Sequence, residues 1–325
     1  MNNRRKLLIA LVASRRGCYP DPLRVATALA FATTLGASAL ALPASAQQPK
    51  PGDVTGDASV SGVAVLDTDI DNGGSFRWDG FVAAGSIDWQ LTQAVSVGAT
   101  LRYNYEHWRF STPTAFGPTA PWTNVNMPQV GLNFELSVAP DLSLFVSPQL
   151  EWDYESGAGA SDAKTYGAVF GVTKIFSPTL VLGIGAGVYR QIDETQVFPV
   201  VIVRWQIDEK WLLRNSLQAG PAGGPGIELA YAINDQWELA AGGVYREYRF
   251  RLSDEAPVPT GIVENRGVPL YARLTTKLGK TGRLDFVAGA IVGGRLEVED
   301  RNGTTIVSSD YKTAPLLGIT ARLDF

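Results

Sequence analysis

The chain has 325 residues, of which 45% are hydrophobic and only 18% are charged, and its formal net charge is −4 at pH 7. This acidic balance disfavours nucleic acid as a partner, because phosphate binding requires clustered positive charge. With one histidine and one cysteine, a metal site built from imidazole and thiolate ligands is nearly excluded.

The first 46 residues predict a secretory signal peptide. Arg24 precedes the apolar run 25–42, and small residues provide a cleavage site near Ala46. A membrane anchor is the alternative, for which 18 residues are at the lower limit of length. Without this leader, which contains Cys18, the chain keeps 22 basic and 31 acidic residues, a net charge of −9. Such a cysteine-free chain suits a bacterial envelope protein.

Beyond residue 56, short turn signals alternate with longer polar connections. Two to four turn-forming residues occur near 92, 140, 178, 209, 235 and 281. The longer connections are clearest at 111–125, 221–226, 253–265 and 300–310. Tight turns at one end and long loops at the other are typical of barrels that span an outer membrane.

Between these signals, apolar and polar residues alternate over long segments. In 128–138, for example, Val130 and Leu132 share one face, while Gln129 and Glu135 take the other. Strands of soluble sandwiches usually have about five or six residues, whereas about ten tilted residues cross a bilayer. We therefore predict an all-β chain that forms a single transmembrane antiparallel up-and-down β-barrel of about 14 strands, with 12 as the alternative count. A soluble periplasmic β-protein is a second alternative.

The predicted barrel occupies 57–325, after a short periplasmic segment at 47–56 that is too short to form a globular plug. Its strands are 57–69, 75–91, 94–110, 126–138, 142–155, 163–175, 179–192, 195–207, 211–219, 224–233, 236–252, 266–278, 282–298 and 311–325. In 236–252 the apolar residues change face between Tyr245 and Tyr248, which predicts either a bulge or a strand that continues above the membrane.

Aromatic residues gather near the predicted strand ends. They are Trp89, Trp205, Trp211 and Trp237 by the short turns, and Tyr103, Tyr105, Trp152 and Tyr154 toward the other end. This distribution predicts two interfacial girdles, and the alternative is an ordinary aromatic core.

The chain ends on an alternating strand, in which Ile319, Ala321, Leu323 and Phe325 share one face. This ending resembles the C-terminal signature of bacterial outer-membrane β-barrels. The resemblance implies that the last strand closes the barrel against the first, and that these four residues serve as a signal for the barrel-assembly machinery. The stretch from 175 through 252 to the end also resembles a group of outer-membrane barrels of unassigned function.

Catalysis and cofactors are not expected. His107 shares its phase with Leu101 and Tyr103 at the external end of a strand, and no serine motif stands near it. The alternating aspartates from Asp67 to Asp71 resemble the start of a calcium loop, but Trp78 stands where the closing glutamate would be. A solvated acidic loop is the preferred interpretation.

The alternation along the strands predicts that both acidic and basic side chains point into the barrel. The pore-lining candidates are Arg102, Glu135, Gln149, Glu151, Asp153, Arg273, Arg283, Arg295 and Arg322. Acidic strands facing basic strands would set a transverse field across a water-filled channel. The alternative is that ion pairs fill and close the lumen.

These features predict an outer-membrane barrel that acts as a passive pore or uptake channel for small polar solutes. The alternative is a closed structural or surface-interaction barrel without transport activity. The expected partners are membrane lipid, lipopolysaccharide and the barrel-assembly machinery, and no enzyme activity is expected.

Overall fold

The computed structural model describes residues 50–216 and 225–325, so the predicted signal peptide and its cleavage site near Ala46 lie outside the described residues. Within these two ranges the chain is almost entirely β-structure, with one 3-10 turn at Ala160–Asp162. No helix in the described part of the chain is long and apolar enough to cross a membrane.

The strands form one 17-segment sheet. In chain order they are β1 (Val54–Asp69), β2 (Ser75–Gln90), β3 (Val95–Ser111), β4 (Asn124–Ala139), β5 (Leu142–Trp152), β6 (Tyr154–Glu155), β7 (Lys164–Ser177), β8 (Leu180–Gln191), β9 (Glu194–Gln206), β10 (Trp211–Asn215), β11 (Gly226–Ala232), β12 (Trp237–Val244), β13 (Arg246–Arg251), β14 (Ile262–Leu278), β15 (Gly282–Glu299), β16 (Thr305–Tyr311) and β17 (Ala314–Asp324).

Three of these segments continue the strand before or after them across a short break. The breaks fall at Asp153 between β5 and β6, at Tyr245 between β12 and β13, and at 312–313 between β16 and β17. The chain thus forms a closed antiparallel barrel of 14 strands, which confirms the predicted fold class and the higher strand count. The barrel closes where β17 pairs with β1, from Asp57 opposite Asp324 to Val65 opposite Leu316.

The short turns near 92, 140, 178, 209, 235 and 281 all lie at one end of the barrel, as predicted. We take this as the periplasmic end, because outer-membrane barrels keep their tight turns there. Strand bounds differ from the prediction most at the last strand, which begins with β16 at Thr305 instead of 311, and at β14, which begins at Ile262 instead of 266. In addition, β1 begins at Val54 instead of 57, and β10 ends at Asn215 instead of 219. Of the predicted strand 211–219, residues 217–219 lie outside the described residues.

The outer face of the barrel carries a continuous apolar band. Leu101, Ile184 and Val197 are 65–67% exposed, and similar side chains project from the other strands. In water such a surface would drive association, whereas in a bilayer it replaces the contacts that lipid tails make with one another. Tyr103 and Tyr105 lie on the same face, where their hydroxyls donate to Asn126 at 2.7 Å and to Asn124 at 2.8 Å.

Above this band, successive side chains still point alternately inward and outward. The inward positions, which are polar lower in the strand, are now mostly apolar. In β12 and β13 the inward positions run from Val244 through Arg246 and Tyr248 to Phe250, and the pairing with β14 keeps one register from Trp237 to Arg251. The change of face seen in the sequence is therefore a strand that continues above the membrane, and a bulge at this point is excluded. Once the surroundings change from lipid to water, the apolar side chains turn inward.

A bulge does occur in β15, where it corrects the predicted facing of Arg295. The register between β14 and β15 shifts near Gly293, which has a φ of +61° that suits glycine. Beyond this point Leu296 and Val298 are buried inside the barrel. Arg295 and Glu297 therefore take the outer face, because neighbouring residues of a strand point to opposite sides.

The extracellular end is narrower than the rest of the barrel. Arg251 of β13 pairs in parallel with Tyr154 of β6, and this bridge skips the five strands β7 to β11 that separate them in barrel order. A bridge from Ile70 to Tyr311 joins the first strand to β16. Together the two bridges complete a closed ring of strands, in the order β13, β14, β15, β16, β1, β2, β3, β4 and β6. We call this the extracellular ring.

Candidate functional site: the lumen

The lumen inside the extracellular ring is filled by a hydrophobic cluster, which we call the extracellular core. Its aromatic members are Phe76, Trp78, Trp108, Phe116, Trp122, Tyr248, Phe250 and Tyr311, packed with aliphatic residues of β1, β4, β14, β15 and β17. Trp122 comes from the loop at 112–123 and Phe250 from β13, and the centroids of their rings are 5.7 Å apart. Trp122 is 1% exposed and Phe250 is 0% exposed. The core therefore excludes water from the extracellular half of the lumen.

An ion pair lies at the base of the extracellular core. Arg246 of β13 donates to the carboxylate of Glu106 on β3, and the guanidinium stacks over the rings of Trp78 at 5.2 Å and Tyr248 at 4.5 Å. Glu106 also accepts from the Tyr248 hydroxyl at 2.7 Å and from the Trp108 indole at 3.0 Å. This pair joins two strands that are not neighbours in the wall, so it ties opposite sides of the lumen together.

A cavity of about 40 Å³ adjoins this pair. Its lining includes Trp78, Arg102, Asn104, Glu106 and Arg246. A space of this size holds no more than one or two water molecules. The described structure thus offers no solute-sized passage at this level.

The candidates Gln149, Glu151 and Asp153 lie just beneath the extracellular core. Gln149 is buried and accepts from Gln129 and from the Tyr189 hydroxyl, both at 2.9 Å. Asp153 is buried at the break between β5 and β6, and one of its carboxylate oxygens has no hydrogen-bond partner. Glu151 is half-buried on the same inner face. These residues line the lumen wall where it narrows rather than an open pore.

Below this level the lumen has two kinds of lining. On β5, β7, β8 and β9 a second buried apolar cluster is formed by Phe145, Val169, Tyr189, Phe198, Val200 and Ile202. Elsewhere the inward side chains are mostly polar, and several are partly exposed. The inward positions with partial exposure include Ser86, Asp88, Ser96, Thr100, Arg102, Asn133, Glu135, Ser143, Arg204, Arg214, Glu238 and Arg322. We call this space the periplasmic chamber, since it lies on the side of the short turns. Its wall carries both signs of charge, and partial exposure means that water reaches these side chains.

The predicted basic wall is neutralised by carboxylates. Arg273, 2% exposed, lies 2.5 Å from Glu228, 3.2 Å from Asp285 and 3.3 Å from Glu238. Arg322 contacts Asp57 at 3.5 Å and Asp324 at 3.1 Å. These pairs remove most of the field that facing walls of opposite charge would have created.

The remaining two basic candidates lie near the ends of β15. Arg283 is at the periplasmic rim, 2.9 Å from Asp324, and its side chain is largely exposed. Arg295 is outside the extracellular ring, 3.7 Å from Asp310. Arg295 therefore does not line the lumen, which corrects the sequence-based assignment and follows from the bulge at Gly293.

The C-terminal residues lie at the seam of the barrel. The Phe325 amide donates to the carbonyl oxygen of Gly56 at 2.9 Å, and the Gly56 amide donates back at 2.8 Å. Ile319, Leu323 and Phe325 project outward and are exposed, and Ala321 shares their face. The last strand closes against the first, as the resemblance implied, while a role as an assembly signal stays a prediction.

The only histidine lies on the outer face. A ring nitrogen of His107 is 2.6 Å from the side-chain oxygen of Asn124. Among the described residues, no three histidine, cysteine, aspartate or glutamate side chains are placed to hold a metal ion. Asp71 and Asp67 lie in ion pairs, with Lys312 at 2.8 Å and Arg77 at 3.6 Å.

The sequence interpretation missed the residues that close the lumen. Trp122 lies in the connection 111–125 and Phe250 in the strand 236–252, and neither of them nor Arg246 is among the pore-lining candidates. The available signal was the run from Tyr248 to Leu252, where apolar residues take the face that is polar lower in the strand. The same inversion occurs in β2 at Phe76 and Trp78.

Residues 161–322 match a family described as a domain of unknown function (DUF6268). Comparison with curated proteins gives no match. The family match agrees with the resemblance to outer-membrane barrels of unassigned function, and the closed barrel with its apolar outer band confirms the outer-membrane β-barrel architecture.

Several solved structures are similar to this chain. An outer membrane channel from Pseudomonas putida F1 has a TM-score of 0.45 at 10% identity, over 87% of this chain and 99% of that chain. A FadL homologue from Pseudomonas aeruginosa has a TM-score of 0.42 at 10% identity, over 83% and 90%. The Pseudomonas putida toluene transporter TodX has a TM-score of 0.39 at 11% identity, over 91% and 95%.

Proposed function

We propose that this outer-membrane β-barrel is a gated channel for small polar solutes, with the extracellular core as its gate. The observation that carries the proposal is the division of one lumen into two parts. The periplasmic chamber has polar, partly exposed side chains beside the buried cluster that includes Phe198 and Val200, whereas the extracellular core above it is almost entirely apolar and buried. A polar chamber suits small hydrophilic solutes, while hydrophobic constrictions close channels by excluding water.

The gate is attached to the far wall by backbone and side-chain contacts. Among them, Arg249 lies 2.9 Å from Asp193, and Arg251 donates to the carbonyl oxygen of Asp162 at 3.2 Å. The carbonyl oxygen of Asp153, at the break before β6, accepts from the Arg251 amide at 2.9 Å. The Glu155 carboxylate of β6 accepts from the Ser253 amide at 3.0 Å. The same carboxylate accepts from the Thr123 amide at 3.0 Å, which ties down the loop that carries Trp122. Movement of β13 and this loop would open the ring while leaving the 14-strand wall beneath it intact.

The test is conductance of single proteins in a planar bilayer. The protein is expressed from the full 325-residue sequence and purified from outer membranes. We expect the wild type to stay closed for most of the time and Phe250→Ala to open far more often. Phe170→Ala is the matched control, because Phe170 lies on the outer face of β7 and is 47% exposed. Trp122→Ala provides a second gate variant.

Solute size is measured separately by liposome swelling with sugars of increasing mass. Faster swelling with Phe250→Ala than with Phe170→Ala would support passage through the lumen. If both gate variants form heat-modifiable barrels that neither conduct nor admit sugars, the gated channel is wrong.

A closed barrel without transport is the second candidate, and the packing of the extracellular core favours it. To open, the gate must break a set of aromatic contacts. The ring centroids of Phe76 and Trp108 are 5.2 Å apart, and those of Phe110 and Trp122 are 4.9 Å apart. A permanently filled lumen would leave the external loops as the working surface. Silent gate variants in the conductance test are the result that this candidate requires.

A further inference from the structure

We propose that Arg204 and Arg214 form a subsite in the periplasmic chamber that binds a small anion, such as the carboxylate or phosphate group of a solute. The inference rests on the proposed function in so far as it names the class of solute the chamber would take. The binding itself requires only that the chamber is open to the periplasm.

The two arginines lie directly opposite each other. Arg214 of β10 pairs with Arg204 of β9, and both side chains point into the lumen and are half-buried. Like charges directly opposite on one face of a sheet destabilise the pairing. A compensating negative charge is therefore expected at this position.

Arg214 has that compensation. Its Nε lies 2.7 Å from Glu228 and one Nη lies 2.6 Å from Glu238. Both carboxylates stand on the β11 and β12 side of Arg214, away from β9. Glu228 and Glu238 also form ion pairs with Arg273, at 2.5 Å and 3.3 Å, so each carboxylate already contacts two guanidinium groups.

Arg204 has no such partner. No carboxylate of residues 50–216 or 225–325 lies within 4.0 Å of its guanidinium nitrogens. The segment 217–224, which follows β10, reads LQAGPAGG and contains no aspartate or glutamate that could serve. Neither the described residues nor 217–224 place a carboxylate at Arg204, so a bound anion would supply the charge that Arg204 lacks.

The neighbours of Arg204 on the β8 side of the wall are small apolar residues. Across the β8 pairing, Val181 stands opposite Arg204 and Gly183 stands opposite Ile202, so short side chains flank the guanidinium on that side. The partial exposure of Arg204 shows that the chamber reaches it. A guanidinium presents several N–H donors in a plane, and it binds carboxylate or phosphate oxygens in pairs.

The first test uses bromide as the probe. Crystals of the protein, expressed from the full-length sequence and purified from outer membranes, are soaked in sodium bromide and measured at the bromine absorption edge. We expect an anomalous peak beside Arg204 in the wild type, no peak in Arg204→Gln, and an unchanged peak in Arg283→Gln. Arg283 is the matched control because it already contacts Asp324 at the rim.

Arg204→Lys keeps the charge and is expected to keep the peak, so it tests the subsite even if the glutamine variant does not fold. No peak beside Arg204 in the wild type, or a peak of equal height in Arg204→Gln, overturns the proposal.

The second test is ion selectivity in a planar bilayer under a potassium chloride gradient, with Phe250→Ala as the background that conducts. We expect Arg204→Gln to lower the chloride-to-potassium permeability ratio about threefold, because a ring or pair of arginines favours anions in a pore. Arg283→Gln should change the ratio less.

The two tests separate the failure of this subsite from the failure of the channel. A bromide peak in a barrel that never conducts would uphold the anion subsite and sink the proposed channel. If the barrel conducts and Arg204→Gln leaves its ion selectivity unchanged, the channel is supported and the anion subsite is overturned.

Discussion

The backbone amide of Arg251 donates to the carbonyl oxygen of Asp153 at 2.9 Å, and this hydrogen bond connects two strands that face each other across the barrel. It closes the extracellular ring and fixes β13 against β6. Because of this contact the upper part of the chain is organised like a small water-soluble barrel with a hydrophobic core. The lower part keeps the polar interior of a membrane barrel.

Glu155 should hold the two loops of the gate in place. Its carboxylate accepts from the Thr123 amide and the Ser253 amide, each at 3.0 Å, and the side chain is buried. Glu155→Ala leaves two amides without partners, and a buried unsatisfied group costs about 1–3 kcal/mol. We expect faster hydrogen exchange in 112–123 and 252–261. Glu255→Ala, at an exposed loop position, is the control, and equal exchange in both variants would contradict the role of Glu155.

Glu106 and Arg246 should be strongly coupled in stability. Removing one partner of a buried ion pair costs about 3–5 kcal/mol, because the other charge stays uncompensated. We expect Glu106→Ala and Arg246→Ala each to lower the free energy of unfolding by this amount, and the double variant to lose much less than the sum. Denaturant unfolding followed by tryptophan fluorescence measures all three. Additive losses would show that the two side chains do not act as a pair.

Gly294 should tolerate no side chain. A Cβ at this position would lie 1.9 Å from the ring of Tyr311, which is a member of the extracellular core. We expect Gly294→Ala to displace the ring and destabilise the extracellular ring by about 1–3 kcal/mol. Gly62→Ala is the control, since its Cβ would meet Ile319 at an ordinary 3.8 Å. Thermal unfolding of the two variants is compared, and equal midpoints would refute the predicted clash.

Phe325 has a backbone role and a side-chain role that variants can separate. Deleting the residue removes both hydrogen bonds with Gly56, whereas Phe325→Ala keeps them and removes only the exposed ring. If the ring is an assembly signal, Phe325→Ala lowers the heat-modifiable fraction in the outer membrane almost as much as deletion does. Phe176→Ala, another exposed phenylalanine, is the control. Normal assembly of Phe325→Ala would leave only the backbone role.

Much of the wall could be predicted from the sequence. The alternation in 128–138 and the turns near 140 and 281 reflect constraints that act locally, and β4, β5 and β15 begin within a few residues of their predicted positions. The bilayer enforces this pattern, because every backbone polar group must be paired and every outward side chain must be apolar. The inward facing of Arg102, Glu135 and Gln149 follows from the same alternation.

The partners of those inward side chains could not be predicted. Arg273 was expected to form part of a free basic wall, and it is neutralised by Glu228, Glu238 and Asp285 on neighbouring strands. Alternation gives the face of a residue but not its height relative to the next strand, which depends on register. Arg295 was misplaced for a related reason, since one extra residue at Gly293 reverses every position above it.

The sequence by itself determined that this chain forms a closed barrel of long strands, since membrane and water impose a periodicity that each strand must satisfy alone. Only the tertiary structure decided that the lumen is closed. That closure depends on Arg251 meeting Asp153, on Arg246 meeting Glu106, and on Trp122 packing against Phe250. These contacts join parts of the chain far apart in sequence, and they exist only because the curvature of the wall brings opposite strands face to face.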